Sequence, residues 1–167
     1  MPIQYLVGNA LEPVGAGNKV LVHICNDEGR WGAGFVVALG KKFPLAEQFY
    51  RDTAKIQGNK LVLGTTQFVP VRDIEGDKLV VANMIAQRSI GFLTDGSAKG
   101  CPPIRYSALL DCVEQVFAHA ALLGASVHGP RFGAGLAGGD WRIVELILEA
   151  TSKKHHVPVT IYDLEAI

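Results

Sequence analysis

Two glycine-rich segments, each lying between a short apolar run and a helical pattern, constrain the fold of this chain more than any other feature. Residues 25–34 (CNDEGRWGAG) end the apolar run 20–25, and residues 130–141 (PRFGAGLAGGDW) follow the run 125–129. Glycine lets the backbone turn tightly and approach a ligand closely. A strand that ends in such a loop and opens a helix is typical of a layered α/β domain, and the backbone N–H groups at such a helix N-terminus bind anions. Two of these loops at one edge of a sheet would hold a diphosphate between them.

The rest of the chain alternates strand and helix patterns in the same way. Short β-rich or apolar runs predict six strands, at residues 3–7, 20–25, 61–71, 78–86, 125–129 and 157–162. Helical patterns cover residues 33–43, 45–57, an apolar stripe over 109–120, and a last helix that reaches about residue 154. Asp140 is suited to N-cap that last helix. We therefore expect one α/β domain over residues 1–167.

Charge and cysteine content exclude several classes of protein. Sixteen basic residues against sixteen acidic ones leave no positive field, so we expect neither general nucleic-acid binding nor membrane binding. The three cysteines form no CxxC pair and no Cys/His group with zinc spacing, so we expect no metal site and a reduced, cytoplasmic protein. No apolar run approaches the ~20 residues of a membrane-spanning helix. We also expect a monomer that needs no cofactor.

The second glycine loop contains a literal G-x-G-x-x-G at residues 133–138, which taken alone indicates a dinucleotide-binding fold. Three observations weaken this interpretation. Only one helix and one strand follow the motif, Pro130 and Arg131 separate it from its strand, and position 158 is a proline rather than an acidic ribose-binding residue. An NAD-dependent enzyme therefore stays open as the less favoured alternative.

Three segments together carry a resemblance to a known family. Residues 7–9 (VGN), 23–34 (HICNDEGRWGAG) and 127–135 (VHGPRFGAG) resemble the macrodomain family, whose members bind ADP-ribose. The similarity covers residues 3–164 and is greatest to the branch that includes the macrodomain of a poly-ADP-ribose-responsive chromatin remodeller, the terminal ADP-ribose-protein glycohydrolase and the yeast ADP-ribose 1″-phosphate phosphatase. It implies a three-layer α/β/α sandwich around a mixed, largely parallel six-stranded sheet.

The resemblance also implies which residues contact the ligand. Asn9 stands where the family usually has an aspartate that accepts a hydrogen bond from the adenine amino group, and an asparagine oxygen accepts the same bond. The first loop would border the distal ribose and part of the diphosphate, and the second would close over the phosphates. The implied ligand-binding set is Gly8, Asn9, Ala10, Leu11, Asn26, Trp31, Gly32, Ala33, Gly34, Gln87, Arg131, Phe132, Gly133, Ala134, Gly135, Leu136 and Ala137. For Asn9 an Asx turn is the alternative, and for Asn26 a loop cap.

Two aromatic residues of this set have a packing alternative as well. Trp31 lies in the first loop, where its ring is suited to pack on a ribose or an adenine face. Phe132 lies at a family-like position over the diphosphate, with core packing as the alternative. Trp141, which begins a helix, is interpreted as a core anchor.

Catalysis is less well supported than binding. The glycohydrolase relative uses a lysine and an aspartate that fall on Gln87 and Ala137 here, and neither of these residues acts as a nucleophile or a base. Asp27 is the carboxylate nearest the expected distal ribose and is the first candidate for a general base, with His23 and Asp140 as further candidates. For His23 the alternative is a hydrogen-bonded core residue, and for Asp140 a helix cap.

The resemblance therefore implies a function for this chain. We expect it to bind ADP-ribose, or an ADP-ribosylated protein or metabolite, and to hydrolyse an acyl ester, a phosphate or an ADP-ribosyl-protein ester at the 1″ position. A non-catalytic ADP-ribose reader is the alternative, because the lysine–aspartate pair of the glycohydrolase is missing.

Overall fold

The computed structural model describes residues 2–90, 102–135 and 137–165, which form six strands and four helices. The strands are β1 (Gln4–Val7), β2 (Lys19–Asn26), β3 (Thr66–Arg72), β4 (Leu79–Gln87), β5 (Ser126–Pro130) and β6 (Val159–Asp163). The helices are α1 (Phe35–Lys42), α2 (Pro44–Ile56), α3 (Tyr106–Leu123) and α4 (Trp141–His155). The predicted order of strands and helices is confirmed.

All six strands belong to one sheet with the order β1-β6-β5-β2-β4-β3. Strands β1, β6, β5, β2 and β4 run parallel to one another, whereas β3 pairs antiparallel with β4 as a hairpin. The mixed, largely parallel sheet is therefore as predicted. Strand β2 lies in the middle and is buried along almost its whole length, which explains its nearly continuous apolar sequence.

Helices cover both faces of the sheet and make the three-layer arrangement. On one face, Leu39 of α1 and Tyr50 of α2 are completely buried in a core that includes Leu21 of β2. On the other face, Phe117 of α3 and Leu148 of α4 pack in a second and larger core. The chain therefore buries apolar side chains on both faces of the sheet, as an α/β/α sandwich requires.

The boundary of β3 differs from the prediction. Residues 61–65 come before the strand, although their apolar pattern predicted that β3 begins at Leu61. The backbone N–H of Leu61 donates to the Asp27 carbonyl at 2.8 Å, and that of Gly64 donates to the Ile85 carbonyl at 2.8 Å. This segment is thus attached to the ends of two other strands, and an apolar pattern does not separate such a buried loop from a strand.

Close pairing of β2 and β5 brings the two glycine loops together. A Cβ atom at Gly129 of β5 would lie 2.8 Å from the Val22 carbonyl oxygen of β2, so only glycine fits there. Because the two strands are parallel neighbours, their carboxyl ends meet at the same edge of the sheet. The loops that follow them therefore lie side by side.

Candidate functional site

A cavity of about 690 Å³ opens at the carboxyl ends of β2, β4 and β5, between the two glycine loops. Pockets of ~300–1,000 Å³ are typical of small-molecule sites. The residues that line it are His23, Ile24, Cys25, Asn26, Arg30, Gly32, Ala33, Gly34, Phe35, Val36, Gln87, Ile90, Pro130, Arg131, Phe132, Gly133, Gly135 and Ala137. The structure therefore gathers residues of both predicted loops around one space.

The side chain of Asn26 organises the first loop from inside. Its Oδ1 accepts hydrogen bonds from the backbone N–H groups of Glu28 and Arg30 at 3.0 and 3.1 Å, and from the Tyr50 hydroxyl at 2.8 Å. Its Nδ2 donates to the Arg30 carbonyl at 2.7 Å. Asn26 lines the cavity and acts as the loop cap that the sequence offered as an alternative.

The first loop ends at an uncapped helix N-terminus that faces the cavity. Gly34 precedes α1 with φ of 79°, in the left-handed region, and no side chain caps the helix there. Within the part of the chain that the structure describes, the backbone N–H groups of Gly34, Phe35 and Val36 donate no hydrogen bond. Free N–H groups at the positive end of a helix dipole attract an anion.

The second loop is folded tightly upon itself. Gly133 adopts φ of 82°, and its carbonyl accepts a hydrogen bond from the Gly139 N–H at 2.7 Å. The Gly138 N–H donates to the Gly135 carbonyl at 3.0 Å. Among the described residues, no hydrogen bond uses the N–H groups of Gly133, Ala134 or Gly135 as donors. The loop therefore also presents free donors; Leu136 lies outside the described residues.

Phe132 and Arg131 form one wall of the cavity. Phe132 is buried, lines the cavity, and makes an edge-to-face contact with Trp141 at 6.0 Å between ring centroids. The Arg131 guanidinium forms two hydrogen bonds with the Asp163 carboxylate, at 2.7 and 3.1 Å, and these raise the pKa of Arg131. The guanidinium also lies 4.8 Å from the Tyr5 ring centroid. Its charge is thus already paired with a carboxylate.

The segment predicted to meet the adenine, Gly8 to Leu11, does not line the cavity. Asn9 Oδ1 accepts a hydrogen bond from the Leu11 N–H at 3.0 Å, which is the Asx turn that the sequence left open. Ala10 and Leu11 are buried. The Gly8 N–H donates to the Asp163 carbonyl at 2.7 Å, so this segment lies beside the end of β6.

Trp31 is a core residue and does not line the cavity, contrary to its predicted contact with the ligand. It is 4% exposed. Its ring packs edge-on against His23 at 5.4 Å and lies tilted against Tyr50 at 5.3 Å. The apolar environment between β2 and α2 takes up this ring, which explains why a large aromatic residue in a glycine loop was misinterpreted.

Among the three candidate bases, His23 is the one that lines the cavity. It is 2% exposed, and its Nε2 lies 2.6 Å from Asn83 Oδ1. Burial lowers the pKa of His23 to about 4, and the hydrogen bond to Asn83 only partly opposes this shift. The imidazole is therefore neutral at pH 7 and able to accept a hydrogen bond.

The two candidate carboxylates lie elsewhere. Asp27 does not line the cavity, and its Oδ1 accepts a hydrogen bond from the Ser89 N–H at 2.7 Å. Asp140 N-caps α4 as predicted, accepting from the Arg142 N–H at 2.9 Å, and hydrogen bonds from Arg142 lower the pKa of its carboxyl. Gln87 lines the cavity and donates from Nε2 to the Ser89 carbonyl at 3.0 Å. The catalytic roles of Asp27 and Asp140 stay predictions.

Several residues of the site were not singled out from the sequence. Phe35 and Val36 line the cavity because they occupy the first turn of α1, directly after the glycines. Their position at a predicted helix start was the signal that could have found them. Asn83, which holds His23, lies inside the apolar run of β4, and its pairing with His23 follows only from the strand register.

A pH-dependent stability follows from two buried histidines. Burial lowers the pKa of both His23 and His128 to about 4, against about 6.5 in an unfolded chain. The unfolded state binds more protons between these values, so the full stability holds above pH 6.5 and is lost as the pH falls towards 4. We expect each histidine to lower the free energy of unfolding by about 2 kcal/mol between pH 7 and 5.

Urea denaturation at pH 7 and pH 5 measures this loss. A His128→Gln variant should lose about half of the pH dependence, because glutamine does not titrate. Equal stability of the wild type at the two pH values would show that these histidines protonate in the folded state.

Within residues 2–90, 102–135 and 137–165, no three His, Cys, Asp or Glu side chains are grouped so that they could hold a metal ion. In the same residues, no helix is long and apolar enough to cross a membrane.

Known proteins resemble this chain along almost its whole length. No family model matches it. A solved protein of unknown function from Bacteroides thetaiotaomicron is 44% identical, with a TM-score of 0.86 over 98% of this chain and 99% of that one. A solved macrodomain protein from Streptomyces coelicolor is 38% identical, with a TM-score of 0.77 over 96% of this chain and 98% of that one.

Two curated relatives that match most of this chain are more distant in sequence. The mouse protein "Chromodomain-helicase-DNA-binding protein 1-like" is 28% identical over 166 residues, which are 96% of this chain but only 17% of that protein. The ADP-ribose 1″-phosphate phosphatase of Candida albicans is 27% identical over 165 residues, which cover 92% of this chain and 96% of the phosphatase.

Proposed function

The chain belongs to the macrodomain family, and from this premise we propose that it binds ADP-ribose in the cavity between its two glycine loops. The observation that carries the proposal is the cavity itself, a space of about 690 Å³ with free backbone N–H groups in both bordering loops. ADP-ribose joins adenosine to a second ribose through a diphosphate. The two loops supply donors for that diphosphate from opposite sides.

The relatives support a ligand of this class. The Candida albicans relative is a phosphatase of ADP-ribose 1″-phosphate, and it matches this chain over nearly its full length. A ligand built on ADP-ribose therefore agrees with both the family and the shape of the cavity.

Backbone groups, rather than cationic side chains, would hold the diphosphate. Arg131 borders the cavity, but its two hydrogen bonds to Asp163 already satisfy much of its guanidinium. The uncapped N-terminus of α1 offers N–H groups and the positive end of a helix dipole instead. Binding through fixed N–H groups favours the shape of a diphosphate over other anions of the same charge.

The two ends of the ligand would extend in opposite directions from the diphosphate. We place the distal ribose at the floor of the cavity, next to His23, Asn26 and Phe35. The adenine would extend across the end of β6 towards Asn9, because Gly8 is attached to Asp163 there. This placement leaves little room for a nicotinamide beyond the distal ribose.

The finer part of the proposal is hydrolysis at the 1″ position of the distal ribose. His23 is the best placed of the three candidate bases, since it lines the floor of the cavity and is neutral. Asp27, which directly follows the cavity-lining Asn26 in the first loop, is the second candidate. The reader alternative rests on a different observation, the presence of Gln87 and Ala137 on the cavity wall where the glycohydrolase relative has its lysine and aspartate.

Ligand-induced stabilisation tests the binding part. At a ligand concentration of 100 times Kd, we expect ADP-ribose to raise the free energy of unfolding by about 2.7 kcal/mol. AMP and ribose 5-phosphate, each carrying one part of the ligand, should give smaller increases at the same concentration. Thermal unfolding with each compound measures this order, and an increase with AMP equal to that with ADP-ribose would place only the adenosine end on the protein.

A further inference from the structure

A chain of hydrogen bonds lies behind the floor of the cavity. His23 Nε2 lies 2.6 Å from Asn83 Oδ1, and Asn83 Nδ2 donates at 3.1 Å to both the Ala46 carbonyl and Gln67 Oε1. His23 and Asn83 are paired in the parallel register of β2 and β4. Asn83 is completely buried, so its amide has to find its partners inside the protein.

The Ala46 carbonyl determines the direction of the whole chain, because a carbonyl oxygen only accepts. The atom of Asn83 that faces Ala46 must therefore be the amide nitrogen, and the Asn83 oxygen must face His23. An amide oxygen also only accepts, so Nε2 of His23 must carry the ring proton. In the neutral imidazole, Nδ1 is then the nitrogen with the free lone pair.

Nδ1 is the ring atom of His23 that is left for a ligand. Its nearest polar neighbour among the described residues is the Cys25 thiol, whose Sγ lies 3.9 Å from Nδ1 and 3.8 Å from Nε2 and is at most a weak donor to either nitrogen. The rings of Trp31 and Phe35, which carry no charge, pack around the imidazole. A hydroxyl group that enters from the cavity would be a stronger donor to this nitrogen than the thiol.

We infer that Nδ1 of His23 accepts a hydrogen bond from a hydroxyl group of the bound ligand, and that Asn83 is the positioning residue that keeps this nitrogen unprotonated. The inference rests on the proposed ADP-ribose function, which supplies a ligand with ribose hydroxyl groups at the cavity floor. It makes Asn83 a determinant of specificity, because a site that pairs with a hydroxyl discriminates against a ligand that lacks it.

Nitrogen NMR of the full chain with labelled histidine tests both parts. In the free wild type at pH 7, we expect His23 to show a protonated Nε2 and an unprotonated Nδ1, with His23→Gln providing the assignment. Saturation with ADP-ribose should move the Nδ1 resonance and leave Nε2 nearly in place. Asn83→Leu, similar in volume but without an acceptor, should populate both neutral forms of the ring.

Gln67→Leu is the matched control for Asn83→Leu. It removes the outer partner of the same amide but leaves the Ala46 carbonyl to orient Asn83, so His23 should keep its proton on Nε2. If Asn83→Leu does not fold, the two wild-type spectra still decide the question.

Each outcome has a distinct meaning when calorimetry is run on the same samples. A proton on Nδ1 in the wild type would overturn the role of Asn83. Binding of ADP-ribose without movement of Nδ1 would overturn the hydroxyl contact and leave the proposed function standing. No binding heat would overturn the proposed function and the ligand contact together, while the tautomer would still report on Asn83.

Discussion

Replacing Gly135 with glutamate should weaken ADP-ribose binding at least 100-fold and leave the fold intact. Gly135 lines the cavity, and a Cβ atom there meets no other heavy atom within 4 Å. Its backbone also lies outside the left-handed region, so a larger residue is not strained. The glutamate would occupy the phosphate position and repel the diphosphate, which corresponds to a loss of about 2.7 kcal/mol or more in binding free energy.

Gly135→Ala is the matched control for this substitution. Its methyl group fills little of the cavity and adds no charge, so binding should stay within about threefold of the wild type. Calorimetry measures both affinities, and thermal unfolding without ligand checks the fold. Binding by Gly135→Glu within threefold of the wild type would show that the second loop is only a turn.

Replacing His23 with glutamine should lower the turnover of O-acyl-ADP-ribose or ADP-ribose 1″-phosphate by a factor of about 10² to 10⁴, the usual effect of losing a general base. Glutamine retains a donor for Asn83 Oδ1 but lacks a nitrogen that takes a proton. Because the pKa of His23 is lowered to about 4, the wild-type rate should show no loss from His23 protonation between pH 5.5 and 8.

Asp27→Asn provides the comparison. Asp27 does not line the cavity and holds Ser89, so its replacement should reduce turnover less than tenfold. ADP-ribose affinity, measured for each variant, separates catalysis from binding. A larger loss with Asp27→Asn than with His23→Gln would return the role of base to Asp27. No turnover by the wild type with either substrate would favour the reader alternative.

The alternation of elements made most of the fold predictable. Strand β2 has a nearly continuous apolar sequence because it is buried on both faces, and α3 carries one apolar stripe because one side of it packs on the sheet. The start of β3 was not predictable in the same way. Leu61 and Gly64 bond to the ends of β2 and β4, and such long-range bonds leave no local pattern.

The site was predictable where backbone geometry determines it. Glycines at 34 and 133 adopt left-handed φ values that few other residues reach, so their positions in sequence identify the loops. Side-chain roles were less predictable. Trp31 turned into the core, and Asn26 and Asn9 use their side-chain oxygens to fold the local backbone. Whether a polar side chain serves the loop or the ligand depends on neighbours such as Tyr50, which lies 24 positions away from Asn26.

Calorimetric titration of the wild-type protein with ADP-ribose and with NAD tests the central claim most directly. The cavity between the two glycine loops should bind ADP-ribose with a Kd of about 10 µM or tighter. This corresponds to a binding free energy of about −6.8 kcal/mol or more negative. NAD should bind at least tenfold more weakly, because a nicotinamide has little room beyond the distal ribose. NAD binding as tight as that of ADP-ribose, or no heat with ADP-ribose, would contradict the account.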